Sequence, residues 1–111
     1  SDYLRLATEH NKLAVEANRL AIELAKSAVE LAETDPSKTA LEHAELAARL
    51  LEMMVQFTKA AQELTREAIR KEGRNEESEK VLRKSKEAYK ESEKALEDAR
   101  RLLDELRKKG S

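Results

Sequence analysis

His10 and His43 are the side chains in this sequence best suited to chemistry, since imidazole ligates metals and moves protons near neutral pH. Their neighbours argue against both roles. A zinc-protease helix needs His-Glu-x-x-His, and a carboxylate-bridged di-iron bundle needs Glu three residues before each His; Ala7 and Ala40 stand there instead. If the chain folds back near Asp35, residues whose numbers sum to about 71 face each other. That sets His10 beside Ala61 and His43 beside Ala28, roughly 27 Å apart along the helix axis. The spacing argues against one chain closing a metal site, although symmetry could gather one His from each of several copies. Each His is expected to be buried and hydrogen-bonded, or to sit at the boundary of a core.

Neutral polar residues carry more information. Asn11 and Asn18 repeat at a seven-residue interval on an otherwise uncharged helix face, and Thr58, Gln62 and Thr65 interrupt a second apolar stretch. With a second fold-back near Gly73, His10, Asn11, Gln62 and Ser85 fall at one level, and Asn18, Thr58 and Ser92 near another. Polar groups collected by level suggest buried hydrogen-bond networks, which disfavour wrong registers because a slip leaves them unpaired. The alternative is that Ser85 and Ser92 are small spacers and the two Asn residues line a wet boundary. The mixed Lys and Glu run from Lys84 to Lys94 is expected to be a solvated face. Met53 and Met54 are expected to fill a core, and Tyr3 and Tyr89 to keep their hydroxyls at a boundary.

No other constellation points to catalysis, a cofactor or a small-molecule ligand. Twenty-two basic residues against 23 acidic ones, interleaved in sign, leave no basic stripe for nucleic acid. The absence of cysteine removes disulfides and thiolate chemistry. The longest uncharged run, Met53 to Thr58, is far short of the ~20 apolar residues of a membrane span, so a soluble protein without a leader is expected.

The elements that would position these residues are helices. Charged residues make up 41% of the 111 positions and aromatics 3%, with Ala, Leu, Glu, Lys and Arg dominant, which suits long helices and not a sheet. In the first third, Asp2, Arg5, Glu9, Lys12, Glu16, Arg19, Glu23, Lys26, Glu30 and Glu33 recur at steps of three and four, so every charge falls in two adjacent columns of one helix. Helix-stop and helix-start signals lie at Thr34-Asp35-Pro36-Ser37 and at Glu72-Gly73-Arg74-Asn75. Asp35 is expected to cap the second helix, with Pro36 in its first turn; Gly73 is expected to close that helix and Asn75 to cap the third. Ser1 is a possible cap for the first helix, and Lys108, Lys109 and Gly110 are expected to finish the third. The expectation is therefore a single all-α domain, an up-down-up three-helix bundle with helices over about 2–33, 36–72 and 75–109, assembling into a larger helical bundle.

The three helices are not equivalent. Only 13 of 34 residues between Glu76 and Lys109 are uncharged, enough for one buried stripe. Between Tyr3 and Ala32 the number is 22 of 30, and between Ser37 and Ile69 it is 24 of 33, more than one core can absorb. The first helix centres on Ala7, Ala14, Ala21 and Ala28, flanked by Val15, Ile22 and Val29 on one side and Leu6, Leu13 and Leu20 on the other. The second centres on Ala40, Ala47, Met54, Ala61 and Ala68, flanked by Leu50, Phe57 and Leu64 and by Leu41, Val55 and Ile69. A third helix can cover one side of this pair; the other is expected to be an interface, because soluble monomers seldom expose long apolar strips.

The regular charge columns, the Asp35-Pro36-Ser37 and Glu72-Gly73-Arg74-Asn75 turns and a surface made almost wholly of strong helix formers resemble de novo designed helical bundles over the whole chain. Spectrin-like and exchangeable apolipoprotein-like bundles share the amphipathic helices, but keep less regular charge columns and carry more Trp, Phe, Gly and Pro. The closing Gly110-Ser111 fits an appended pair. The resemblance implies a cyclic homo-oligomer or an orthogonal heterodimer given specificity by buried hydrogen-bond networks. The function expected is self-assembly into a cyclic homo-oligomer, preferably a trimer, through the first two helices, with no enzymatic activity. A binding module, as half of a heterodimer or as a helical binder, is the alternative. Reversible lipid binding by an opened bundle is a third class.

Overall fold

The computed structural model describes residues 2–35 and 37–109. Three helices, α1 (Asp2–Thr34), α2 (Lys38–Glu72) and α3 (Glu76–Lys109), run up, down and up in a rod of 55 × 17 × 16 Å. Few β-branched residues and no interior Gly or Pro interrupt them. The expected roles of Ser1, Pro36 and Gly110 lie outside the described residues.

The two turns differ in how they satisfy the helix ends. Asn75 Oδ1 accepts from the Ser78 backbone N–H at 2.8 Å, while Ser78 Oγ accepts from the Asn75 N–H at 2.9 Å, a reciprocal cap that pairs two donors. Glu76, Glu77 and Glu79 add negative charge to the same turn, and Arg107, Lys108 and Lys109 complement the far end of α3. Gly73 closes α2 with φ +88°, its N–H donating to Ile69 O at 2.8 Å. With ψ at 165° this backbone region belongs essentially to glycine. At the start of α2 the structure corrects the expected cap. Ser37, with an extended backbone, precedes the first helical residue, and its carbonyl accepts the first intrahelical bond from Leu41 N–H; the Asp35 carbonyl accepts from Ser37 N–H at 2.7 Å. Asp-Pro-Ser offers two eligible cap residues, and helix entry uses the one whose backbone is extended next to the first helical turn. The Ser37 hydroxyl makes no capping bond.

The core is divided along the rod. Toward the α1/α2 turn it is apolar: Ala21, Ala28, Ala44, Ala48, Leu51, Leu96, Ala99, Leu103 and Leu106 form one buried cluster. Toward the α2/α3 turn the buried set includes Asn11, Asn18, Thr58, Gln62, Thr65, Ser78, Ser85 and Ser92. All thirteen uncharged positions of α3 are buried or half-buried, as a single-stripe outer helix requires. The alanine columns of α1 and α2 are buried as well, and small residues at these positions let the helices approach closely. No described helix is long and apolar enough to cross a membrane.

Candidate interaction surface

Two apolar seams run along α1. The first, through Ala7, Asn11, Ala14, Asn18, Ala21 and Ala28, is buried among the three helices. The second, through Tyr3, Leu6, Leu13 and Leu20, stays in solvent: Leu20 is 71% exposed and Leu13 59%. On α2 the same division leaves Leu46 and Met53 exposed, Met53 by 60%. Between these rows lie half-buried side chains of both helices, including Ala17, Leu24, Leu50, Phe57 and Leu64. The result is a two-helix-wide apolar strip that α3 leaves uncovered.

Helical period explains the strip. Leu6, Leu13 and Leu20 are seven residues apart, as are Leu46 and Met53, so each set stays on one side of its helix throughout. The opposite flanks meet α3. Ile22, Leu41 and Val55 pack against the buried cluster, Val15 lies in a groove with Val81, and Val29, still 41% exposed, edges a shallow groove with Leu102. Met53 is therefore not core filler: it stands one position from the Met54 column, and one residue turns a side chain through about 100°. Leu46 is the surface residue that inspection of the two flanks overlooks; its seven-residue spacing from Met53 is the signal that locates it.

Both histidines lie half-buried on this side of the molecule. His10 stacks on Phe57 with ring centroids 4.5 Å apart and an interplanar angle of 23°. This is about one turn from Ala61, where an even hairpin would seat it. Tyr3, whose N–H donates to Glu72 Oε1 and whose ring carries Lys71 Nζ at 5.0 Å, errs the opposite way, since long side chains reach to either side of the common level. His10 Nε2 and His43 Nε2 are both enclosed and accept or donate no hydrogen bond in the protomer.

Direct bonds between helices among the polar residues are few. Thr58 Oγ1 and Ser92 Oγ lie 3.2 Å apart and join α2 to α3. Each hydroxyl also lies 2.8 Å from a carbonyl of its own helix, Met54 O or Tyr89 O; with one hydrogen apiece, one donates across the pair while the other donates to its own carbonyl. Thr65 donates to Ala61 O and Ser85 to Leu82 O, which satisfies hydroxyls without a cross-helix partner. Asn11 Oδ1 and Asn18 Oδ1 are enclosed and unbonded, and Gln62 is buried as well. Among the described residues, no group of three or more His, Cys, Asp or Glu could hold a metal ion. Tyr89 is held above its ordinary pKa of 10.0 by desolvation, and then by the charge and hydrogen bond of Glu93. On the surface, the Arg100 guanidinium reaches Glu52 at 3.2 Å, a solvated link between α3 and α2 worth little in stability.

No protein-family model, no curated protein and no solved structure matches the chain, so this surface carries the functional reading by its own chemistry.

Proposed function

We propose that the chain is a self-assembling helical scaffold of the de novo designed kind, which forms a cyclic homotrimer through the open face of α1 and α2 and performs no chemical conversion. The observation that carries this reading is the row Leu6, Leu13, Leu20, Leu46 and Met53, all exposed and all on the side away from α3. Burying one such leucine is worth roughly 1.5–3 kcal/mol, a strong drive for a second surface to cover it. The face is two helices wide, so each copy can offer one edge to the neighbour on its left and the other to the neighbour on its right, as closure into a ring requires. α3, with its charged outer surface, would form the outside of the ring. Light scattering on the purified chain at micromolar concentration should return three times the 12.6 kDa protomer mass. A clean monomer would refute self-assembly and leave the face to a different partner chain.

A further inference from the structure

The two edges of the open face differ in charge. On α1 the column next to Leu6, Leu13 and Leu20 is Asp2, Glu9, Glu16, Glu23 and Glu30, exposed and acidic at every position. On α2 the column next to Leu46 and Met53 is Glu42, Arg49, Gln56, Glu63 and Arg70, exposed and mixed in sign. Such a face allows three edge contacts between copies. Joining α1 to α1 sets one acidic column against another, and facing like charges oppose association. Joining α2 to α2 leaves the three leucines in water. Joining α1 to α2 of the next copy covers both apolar rows and brings two arginines to the border of the acidic column.

We infer that the copies of the proposed assembly stand parallel, related by a rotation axis along the rod, with the α1 edge of each seated on the α2 edge of the next. This rests on self-assembly through the open face and adds to it a polarity and a register. Rotation about such an axis changes no heights, so the level relation of the α1/α2 hairpin carries over to the contact between copies, where residues whose numbers sum to about 72 meet. Leu20 then lies on Met53 of the next copy, the most exposed large apolar side chain of α1 on that of α2. Leu13 meets Ala60 of the next copy, and Ser27 meets its Leu46, a large side chain opposite a small one each time, as interdigitating layers require. Leu6 falls beside Glu67 of the next copy, whose carboxylate is held by Arg70 and Lys71 of its own helix. At the rim, Glu23 meets Arg49 of the next copy and Asp2 meets its Arg70. Glu9 with Glu63, and Glu30 with Glu42, are like charges at common heights, but Arg5, Arg66 and Lys38 already lie 3.6, 2.9 and 3.9 Å from Glu9, Glu63 and Glu42 on their own helices.

The chain has no cysteine, so Leu20→Cys and Met53→Cys each introduce a single thiol, at positions exposed in the protomer. The two variants, refolded together and treated with a short bismaleimide, should give at least ten-fold more linked pairs than either variant alone. Glu23→Arg and Arg49→Glu should each weaken association about five-fold, and the two substitutions in one chain should restore it. Linking that is as efficient within either single-cysteine variant would overturn the parallel arrangement, because antiparallel copies join α1 to α1 or α2 to α2. So would an assembled mixture that does not link, or a double charge variant in which the two losses add. A monomer in light scattering would instead remove the assembly itself, so failure of the register and failure of the reading beneath it are told apart.

Discussion

At the scale of single residues, the buried Asn side chains are the sharpest test of the polar half-core. An enclosed oxygen without a partner forfeits its hydration, a penalty of about 1–3 kcal/mol, and Asn11 Oδ1 and Asn18 Oδ1 are both in that state. Asn11→Leu and Asn18→Leu should therefore each raise the urea midpoint. A fall in the midpoint would mean that the oxygens are paired in solution, as a network within the three-helix core would require. Thr58→Val should cost no more than about 1 kcal/mol, because Ser92 Oγ keeps its bond to Tyr89 O and is not orphaned. Tyr89 supplies a pH test. Its folded pKa lies above the unfolded value of 10.0, so between the two the folded state binds more protons, and its contribution to stability is complete below pH 10 and is lost as the pH rises through the folded value. Ultraviolet titration should place its phenolate above pH 10, and Glu93→Gln should move it partway back, since desolvation remains. An unmoved midpoint in that variant would remove Glu93 as a cause.

Among the elements, the helix ends divide into those held by side chains and those held by backbone. Asn75→Ala breaks the reciprocal cap with Ser78 and should cost about 1 kcal/mol. Ser37→Ala removes a hydroxyl that caps nothing and should change stability by a few tenths of that at most. Equal losses in denaturant melts of the two variants would mean that Ser37 caps α2 in solution. Gly73→Ala should cost about 1–3 kcal/mol through backbone strain alone, because a Cβ there would meet no other atom within 4 Å. The placement of the three helices was legible in the sequence, because Gly73 and Asn75 have one physical role each at that spacing. Entry into α2 was less legible, because Asp35 and Ser37 can each cap and only the backbone path chooses between them.

For the whole molecule, the two flanks of α1 give opposite mutational signatures. Leu20 is largely in solvent within the protomer, so Leu20→Glu should leave the helical content intact and convert the proposed trimer to monomer in light scattering. Ile22 packs on the cluster beneath α3, so Ile22→Glu should unfold the protomer by placing a charge against an apolar core. If Leu20→Glu left the mass of an assembled sample unchanged, the contact between copies would have to lie elsewhere on the rod.

The sequence by itself determined the helices, their antiparallel order, the single-stripe character of α3 and the surplus of apolar surface on α1 and α2. Each follows from periodicity and composition, which act within one helix and need no knowledge of its neighbours. Which surplus flank would meet α3 was a different matter. Val15, Ile22 and Val29 on one side of the alanine column and Leu6, Leu13 and Leu20 on the other are equally apolar, and either could be covered by a third helix. Tertiary structure set α3 over Val15 and Ile22, with Val29 at its margin and 41% exposed, and left Leu6, Leu13 and Leu20 open. The same packing seated His10 on Phe57, joined Thr58 to Ser92 and left two Asn oxygens unbonded. Levels along a helix can be counted from residue numbers; azimuth, and with it who touches whom, exists only once three helices are docked together.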